Sequence, residues 1–465
     1  MPTRVPLTVQ QRWLWQLLLR HTDWNCVMAY GYRLSGELHI EHMARSFAEV
    51  VRRHGSLRAQ TVIDPDGTAV QEIVPSLDYP LFVEPIAGTT DSEIEARARD
   101  LFLAMADRKL TPGVEPLMRI QLLSLSRTEH WLLLTLHRVV ADCFSVDQIF
   151  EELWPIYAAY SKGEPSPFTE DPPQYADYAL RQHRMMGEWP RKHQAYWEQR
   201  LDGATPIEWP DDPGVSRADG NRLESIKRLF GEALSEELRE FARRGRTLAA
   251  TVMLAIYVAV LWRWCGKTDI TLPFNVAGRQ SEHRSVVGYF PYILYLRIQL
   301  TGSETFRSLL SQVTAEFFRA LSHPDFGMMA IRRPELLAGT FSQWITWHTE
   351  ETAERVVPIC SAPAELTAQR LLERDFGEGL TAIPPGMVDV EVSFFDTAKG
   401  IFASGVYRAN RFTPSTMERF MEELHSAVEF FVRNPDALLA AQEAAAVPPP
   451  LCPIPTSRDA IVGTP

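Results

Sequence analysis

The chain has 465 residues, of which 45% are hydrophobic, and a formal net charge of -12 at pH 7. This length exceeds what a single hydrophobic core commonly serves, so we expect two domains. The acidic balance, with no block of basic residues, argues against nucleic acid as a partner, and the absence of a long apolar run argues against a membrane span.

The N-terminus and the cysteines indicate the compartment. The opening residues, MPTRVPLTVQQRWLWQ, lack the apolar core and the small-residue cleavage site of a signal peptide. The cysteines form no CxxC pair and no even disulfide framework: they are Cys26, Cys143, Cys265, Cys360 and Cys452. Free thiols are typical of a reducing compartment. These features predict a cytoplasmic protein, and we find no metal-binding pattern.

Helix and strand patterns alternate along the first part of the chain. Apolar spacing predicts helices at 9–21, 40–55, 92–110 and 146–163. Apolar runs predict strands at 27–36, a hairpin over 57–74 that turns at Asp64–Gly67, and two strands within 116–137. This alternation predicts helices and strands interleaved around one sheet.

A proline-rich break, 162–174, and a second irregular stretch, 205–222, separate this part from a similar second half. The second half is predicted to contain helices at 235–245, 248–265, 303–321 and 414–433, and strands at 269–276, 292–300, 388–395 and 401–407. We therefore predict one domain at 1–175, a second at 176–440, and a Pro-rich disordered tail at 441–465.

The clearest candidate site follows a strand in the segment LTLHRVVADCFSVDQIF, residues 134–150. His137 and Arg138 end a buried apolar run, and Asp142 stands just before an amphipathic helix. A His and an Asp at the end of a buried strand are typical of an acid–base site. Neighbouring side chains on extended backbone point to opposite faces, so residues 137 and 138 cannot both face the same site.

Seven segments carry a resemblance that runs along the chain. In order they are VPLTVQQRWLW, RRHGSLRAQ, TLHRVVADCFSVDQI, YADYA, YWEQRLDG, LPFNVAGRQ with VVGYFPYILYLRI, and VYRANRFTPSTMERF. Together they resemble the ordered motifs of the condensation domains of nonribosomal peptide synthetases, within the wider superfamily of HxxxD acyltransferases.

The resemblance implies an α/β fold of the two-layer α+β type, with two chloramphenicol-acetyltransferase-like domains that form a V around a central cleft. It implies that peptidyl or acyl carrier proteins deliver thioester-linked substrates on phosphopantetheine arms, and that the chain binds no cofactor itself. In the family, the second His of HHxxxDG orients or deprotonates the attacking amine. The motif Asp, here Asp142, is structural and pairs with an Arg that corresponds to Arg58.

This chain departs from the family at the catalytic position. Aligned on Asp142, His137 takes the first His position, Arg138 the catalytic second, and Cys143 the final Gly. A neutral imidazole can accept a proton near pH 7, whereas a guanidinium has no acceptor site. A positioned acid–base group contributes a factor of about 10² to 10⁴, so we expect a large effect on condensation. Tyr292 is a second departure, since the family carries Asn there.

Each candidate residue leaves alternatives open. His137 is either catalytic or a packed histidine bonded to nearby backbone. Arg138 either fills the tunnel and pairs with a carboxylate such as Asp142, or binds an anionic substrate, or closes one channel. Cys143 is a small buried residue, or a thiol activated by a helix N-terminus if a base lies nearby. We predict substrate-binding roles for Cys143, Tyr292 and Arg279.

Two functions follow from these residues. The X-domain of glycopeptide-antibiotic synthetases also replaces HH by HR, makes no peptide bond, and recruits haem monooxygenases, although that group carries an acidic residue where this chain has Cys143. The first hypothesis is a degenerate platform of antibiotic or other secondary metabolism that binds a carrier protein or recruits a tailoring enzyme. The second is a free-standing condensation enzyme that forms an amide or ester from a carrier-bound thioester without the motif His. A third hypothesis, a CoA-dependent acyltransferase of the wider superfamily, meets the same altered HxxxD motif and lacks the additional support of the peptide-synthetase motifs.

Overall fold

The computed structural model describes residues 2–22, 24–186, 190–205, 207–210, 212–215, 222–323, 343–349, 356–360, 366–371 and 388–442. The chain divides into two compact units. The first contains residues 1–189, 277–291 and 352–384, and the second contains residues 190–276, 292–351 and 385–465. The limits at 175 and 440 stay a prediction, and most of the predicted tail lies outside the described residues.

The first unit contains helices and strands in mixed order. Its helices are α1 (Val9–Arg20), α2 (Ile40–Arg53), α3 (Asp91–Asp107), α4 (Cys143–Ser161) and α5 (Tyr175–Met185). Its strands are β1 (Thr3–Pro6), β2 (Val27–Gly36), β3 (Ala59–Ile63), β4 (Ala69–Ile73), β5 (Leu81–Pro85), β6 (Met118–Ser124) and β7 (Glu129–His137), joined from the later chain by β12 (Val356–Cys360) and β13 (Leu366–Leu371).

The main sheet of the first unit has the order β12-β13-β2-β7-β6-β5, and β1-β4-β3 form a smaller sheet. All neighbours in the main sheet are antiparallel except β5 and β6, which are parallel. Strand β7 is buried along most of its length, because it has paired strands at both edges and α3 packs against one of its faces. The site residues therefore follow the most enclosed strand of this sheet.

The two faces of β7 pack against different helices. On one face Trp131 and Leu133 pack against α3 through Phe102. On the other face Tyr32, paired with Leu132, contacts Phe150 and Trp154 in the middle of α4. Since residues directly opposite each other on antiparallel strands share a face, odd-numbered β7 residues face α3 and even-numbered ones face α4.

The second unit is built around one six-stranded sheet in the described residues, with the order β10-β9-β11-β14-β15-β8. Its strands are β8 (Leu223–Leu229), β9 (Asp269–Val276), β10 (Tyr292–Gln299), β11 (Gln343–Thr349), β14 (Val390–Thr397) and β15 (Gly400–Arg408). Its helices are α6 (Pro190–Arg200), α7 (Glu232–Arg244), α8 (Ala249–Cys265), α9 (Phe306–Leu321) and α10 (Pro414–Arg433). The predicted mixture of α and β structure is confirmed in both units.

Helix α8 is apolar on every side and buried from Thr251 to Cys265. A helix with this pattern is typical of a protein core. Across the part of the chain that the structure describes, no single helix has the length and hydropathy to cross a membrane. Helices α7 and α8 meet that test only as a pair, and the pair is bent by 107°.

The segment 277–291 belongs to the first unit although its neighbours along the chain belong to the second. Phe290 and Val286 from this segment form a buried cluster with Tyr175 of α5. Gly288 lies against the Tyr175 ring so closely that a Cβ atom would stand 2.1 Å from Cδ2. Only glycine fits this position, which explains the residue.

Candidate functional site

Asp142 is the centre of the site and caps helix α4. Its Oδ1 accepts hydrogen bonds from the backbone N–H of Ser145 at 2.8 Å and from the Ser145 hydroxyl at 2.8 Å. The Ser145 hydroxyl oxygen in turn accepts from the Asp142 N–H at 3.2 Å. This reciprocal arrangement is a capping box, which satisfies helix N–H groups that have no intrahelical partner.

Arg279 holds Asp142 from the segment 277–291. Its Nη2 lies 2.6 Å from Asp142 Oδ1 and its Nε lies 3.2 Å from Oδ2, a bidentate ion pair between side chains that are 6% and 2% exposed. Nη1 of Arg279 also donates to the carbonyls of His283 and Val286. The N–H of Phe290 donates to Asp142 Oδ2 at 3.3 Å. Both oxygens of Asp142 are therefore occupied within the first unit.

The expected partner of Asp142 was wrong. Arg58 lies in a short 3-10 turn and donates to the backbone carbonyls of Val51 and Pro75. It therefore stabilises the chain after α2, and Arg279 takes the ion-pairing role. Arg279 was predicted to bind substrate, but its guanidinium is buried and donates to protein groups.

His137 faces the α3 side of β7 and is 1% exposed. The N–H of Val139 donates to His137 Nδ1 at 3.1 Å. Burial, together with the positive charges of Arg138 and Lys109, lowers the pKa of His137 to about 3. A ring that is neutral, weakly basic and bonded to backbone matches the packed alternative for this residue.

Arg138 follows on the opposite side of the strand. Its N–H donates to the carbonyl of Cys26 at 3.0 Å, while the N–H of His137 donates to Leu117 on the other neighbouring strand. This alternation continues the ladder of β7 and directs Arg138 away from the His137 face. The side chain is half-buried, and across the described residues its guanidinium has no hydrogen-bond or ion-pair partner. The alternative in which Arg138 pairs with Asp142 is therefore wrong, and Asp142 pairs with Arg279 instead.

Cys143 is the first residue of α4 and is half-buried. Burial raises the pKa of its thiol to about 12, and the negative charges of Asp142 and Asp147 act in the same direction, against the positive charge of Arg138. The thiol therefore stays protonated at neutral pH in spite of the helix N-terminus.

Two phenol groups complete the surroundings of Arg138. Burial raises the pKa of Tyr30 and of Tyr289 above the ordinary range, and the charge of Arg138 partly opposes this in both cases. Burial also raises the pKa of Cys26 to about 12. All these groups stay neutral, so they can donate hydrogen bonds and cannot take up the role of a base.

The remaining predicted residue lies elsewhere. Tyr292 begins strand β10 and belongs to the second unit. Sequence reasoning missed Ser145 and Gly288, which link α4 to the segment 277–291. The Gly288 N–H donates to the Ser145 hydroxyl oxygen at 3.0 Å, and the same oxygen lies 2.9 Å from the Gly288 carbonyl, which competes with Asp142 Oδ1 for the single hydroxyl proton. The spacing of Asp142 and Ser145 at the start of a helix is a capping signal that could have identified the first of them.

A second buried polar cluster joins α4 to the end of α2. Glu152 of α4 lies 2.7 Å from Arg53 Nε and 3.2 Å from His54 Nε2, with all three side chains less than 5% exposed. Burial raises the pKa of Glu152, but hydrogen bonds and charges from His54 and Arg53 outweigh it and lower the pKa to about 2. Within the described residues, no group of three or more His, Cys, Asp or Glu could hold a metal ion.

A family model described as "Condensation domain" matches residues 1–352. One of the linear gramicidin synthase proteins of Brevibacillus parabrevis is 30% identical over 456 residues, which are 94% of this chain and 6% of that protein. Surfactin synthase subunit 1 of Bacillus subtilis is 29% identical over 425 residues, which are 89% of this chain and 11% of that protein. The chain thus spans a small part of the length of these relatives.

Solved structures show the same fold. SgcC5 protein from Streptomyces globisporus has a TM-score of 0.75 and 26% identity, and the match covers 93% of this chain and all 100% of that chain. The X-domain in complex with OxyB from teicoplanin biosynthesis has a TM-score of 0.78 and 19% identity, covering 96% of this chain and 97% of that chain. The expected two-layer, chloramphenicol-acetyltransferase-like fold class is confirmed. The chain belongs to the condensation-domain family of nonribosomal peptide synthetases.

Proposed function

We propose that this chain is a condensation-fold platform of natural-product biosynthesis that binds a carrier protein without performing base-assisted condensation. The observation that carries the proposal is the set of groups around the motif position that the family uses for its base. That position holds Arg138, a cation without an acceptor site.

Among the residues of the first unit that the structure describes, the groups next to Arg138 offer no replacement. His137 faces the other side of β7 and has a pKa of about 3, far below the value that a base needs at neutral pH. Cys143 has a pKa of about 12, and the carboxylates whose charges act on it, Asp142 and Asp147, are each paired with an arginine. The raised pKa of Tyr30 and Tyr289 keeps both phenols protonated. Among the described residues, none of the groups whose pKa is affected by the charge of Arg138 can act as a general base at neutral pH, and the nearby carboxylates of Asp142 and Asp147 are each paired with an arginine.

The scaffold of the site is nevertheless complete. Asp142, Arg279, Ser145 and Gly288 form a fully bonded network that holds the start of α4. A buried ion pair of this kind is costly to break, so a chain that retains it keeps its loop geometry. A site that keeps the network around Asp142 but holds Arg138 in place of the catalytic histidine fits a binding role better than a catalytic one.

The partners follow from the family and are part of the proposal. A carrier protein with its phosphopantetheine arm is the expected partner of a condensation fold. The solved complex of an X-domain with OxyB, which this chain resembles in fold, supports a tailoring enzyme, such as a haem monooxygenase, as a second partner.

A second candidate function is a free-standing condensation enzyme that forms an amide or ester by positioning alone. Its support is the match to SgcC5, which spans the whole of that chain and was solved with (R)-(-)-1-(2-naphthyl)-1,2-ethanediol and sucrose. Proximity and electrostatic stabilisation can supply much of a rate when the thioester is already activated.

One experiment separates the two. Carrier proteins from the same organism are loaded with acyl groups, binding is measured by calorimetry, and amide or ester product is measured in a single turnover with amine and hydroxyl acceptors. We expect the wild type to bind and to form no product above background. Arg138→His should gain product by restoring a base.

The matched control is Arg127→His, since Arg127 is an 87% exposed arginine in the turn between β6 and β7. This variant should behave as wild type in both assays. Turnover by the wild type that is lost in Arg138→Ala would reject the platform and establish the enzyme.

A further inference from the structure

The charges near Arg138 do not balance among the described residues of the first unit. Asp142 has both oxygens engaged by Arg279 and by α4 and backbone N–H groups. Asp147, one turn along α4, lies 3.1 Å from Arg370 Nη1. Both carboxylates therefore have their own arginine, and Arg138 contributes one uncompensated positive charge among the described residues.

Two neutral hydrogen-bond donors, Tyr30 and Cys143, lie close enough to Arg138 for its charge to act on their pKa values. Tyr30 pairs with Leu134, four residues before Arg138, so both side chains lie on the face that α4 covers. Arg370, which is paired with Asp147, lies over the Tyr30 ring at 4.9 Å from its centroid. Cys143 opens α4 beside them. The cluster combines a half-buried guanidinium with neutral donors and offers no free anion.

A half-buried cation without a partner loses hydration and gains nothing in return, so a bound anion would offset that cost. The guanidinium fork matches the two oxygens of a carboxylate or phosphate and forms strong charge-assisted hydrogen bonds with them. We propose that Arg138 and Tyr30 form an oxyanion-binding site, and that the molecule held by this platform presents a carboxylate or phosphate group to it. This inference rests on the proposed function, since it names the ligand chemistry of the same site.

The test compares anions with neutral analogues of the same shape. Calorimetry or ligand-observed NMR on the full chain measures binding of benzoate against benzamide, and of 4′-phosphopantetheine against pantetheine. We expect at least one anion to bind about tenfold or more tightly than its neutral partner, because a charged hydrogen bond is worth about one to two factors of ten. A benzoate preference identifies a substrate carboxylate as the source, and a phosphopantetheine preference identifies the phosphate of the arm.

Three variants assign the effect. Arg138→Gln should abolish the preference for the anion, and Arg138→Lys, which keeps the charge without the planar fork, should retain part of it. Tyr30→Phe should weaken binding of the anion several-fold and leave the affinity for the neutral analogue unchanged. Arg127→Gln is the control and should bind as wild type.

Two results would overturn the inference: no discrimination between anion and neutral analogue, or a preference that survives in Arg138→Gln. If discrimination is absent while the carrier protein still binds and no product forms, the oxyanion site is rejected and the platform function stands. If the wild type forms amide or ester product, the platform function is rejected, whatever the binding of the anions shows.

Discussion

Replacing Arg279 with Met should destabilise the first unit far more than an ordinary loss of an ion pair. The substitution keeps most of the side-chain volume but removes the donors to Asp142, Ser145 and the carbonyls of His283 and Val286. Asp142 would then be a carboxylate that is 2% exposed and has no counter-ion. Removing one partner of a buried pair costs about 3–5 kcal/mol, and the stranded carbonyls favour the upper end.

The chain provides a matched control in Arg307→Met. Arg307 and Asp436 form the same bidentate contact, with Nε to Oδ1 at 2.6 Å and Nη2 to Oδ2 at 3.0 Å, but their side chains are 60% and 75% exposed. An exposed pair contributes about 0–1 kcal/mol, because water solvates both charges when the pair is broken. Burial is therefore the main variable that separates the two substitutions.

Thermal unfolding measures the difference. For a folding unit of about 150–250 residues, 1 kcal/mol shifts the midpoint by about 2–4 °C, so Arg279→Met should lower the transition of the first unit by about 6–20 °C and Arg307→Met by a few degrees at most. Adding Asp142→Asn to Arg279→Met should recover part of the loss, since the buried charge is gone. Equal shifts for the two single variants, or no recovery in the double variant, would refute the reasoning.

Three further predictions concern the same unit. The pKa of Glu152 is lowered from an ordinary 4.5 to about 2, so its ionised form stabilises the fold fully above about pH 4.5, and this contribution is lost as the pH falls towards about 2. Urea unfolding across that range should show that the free energy of unfolding falls more steeply with decreasing pH in the wild type than in Glu152→Gln. An identical pH dependence of the two proteins would contradict this prediction. Gly288→Ala should lower the free energy of unfolding by about 1–3 kcal/mol, because its Cβ would collide with the buried Tyr175 ring. An unchanged melting temperature would show that the ring can move aside and would contradict this prediction. Cys143, whose pKa is about 12, should react with iodoacetamide at pH 8 far more slowly in the folded protein than in the unfolded chain. Peptide mass spectrometry measures the extent of labelling. Rapid labelling of the folded protein would favour the alternative in which the thiol is activated.

The sequence predicted most elements close to their final limits and missed mainly short strands. The helix predicted at 414–433 matches α10, which begins at Pro414 and ends at Arg433. Strands β5 and β8 were missed because each lies at the edge of a sheet. Their side chains are largely half-buried or exposed, so neither shows a clear alternation of apolar and polar residues.

The site was predictable where it depends on local geometry and not where it depends on distant contacts. The alternation of β7 correctly indicated that His137 and Arg138 face opposite sides. The partner of Asp142 was wrong because Arg279 lies 137 residues further along the chain, and spacing carries no information about that contact. The raised pKa of Cys143 likewise follows from burial by residues that local sequence does not identify.

The division of the first unit over three stretches of chain bears on its synthesis. At about 5–20 residues per second, a ribosome adds Arg279 roughly 7–27 seconds after Asp142, and during that time the carboxylate has no counter-ion. Strand β13, which pairs with β2, is translated later still. Until β13 has been synthesised, β2 is an edge strand that is paired with β7 alone in the main sheet. An unpaired edge of this kind is a template for aggregation. Nascent chains of this protein should therefore need protection until residue 371 has emerged, and chains that terminate earlier should aggregate.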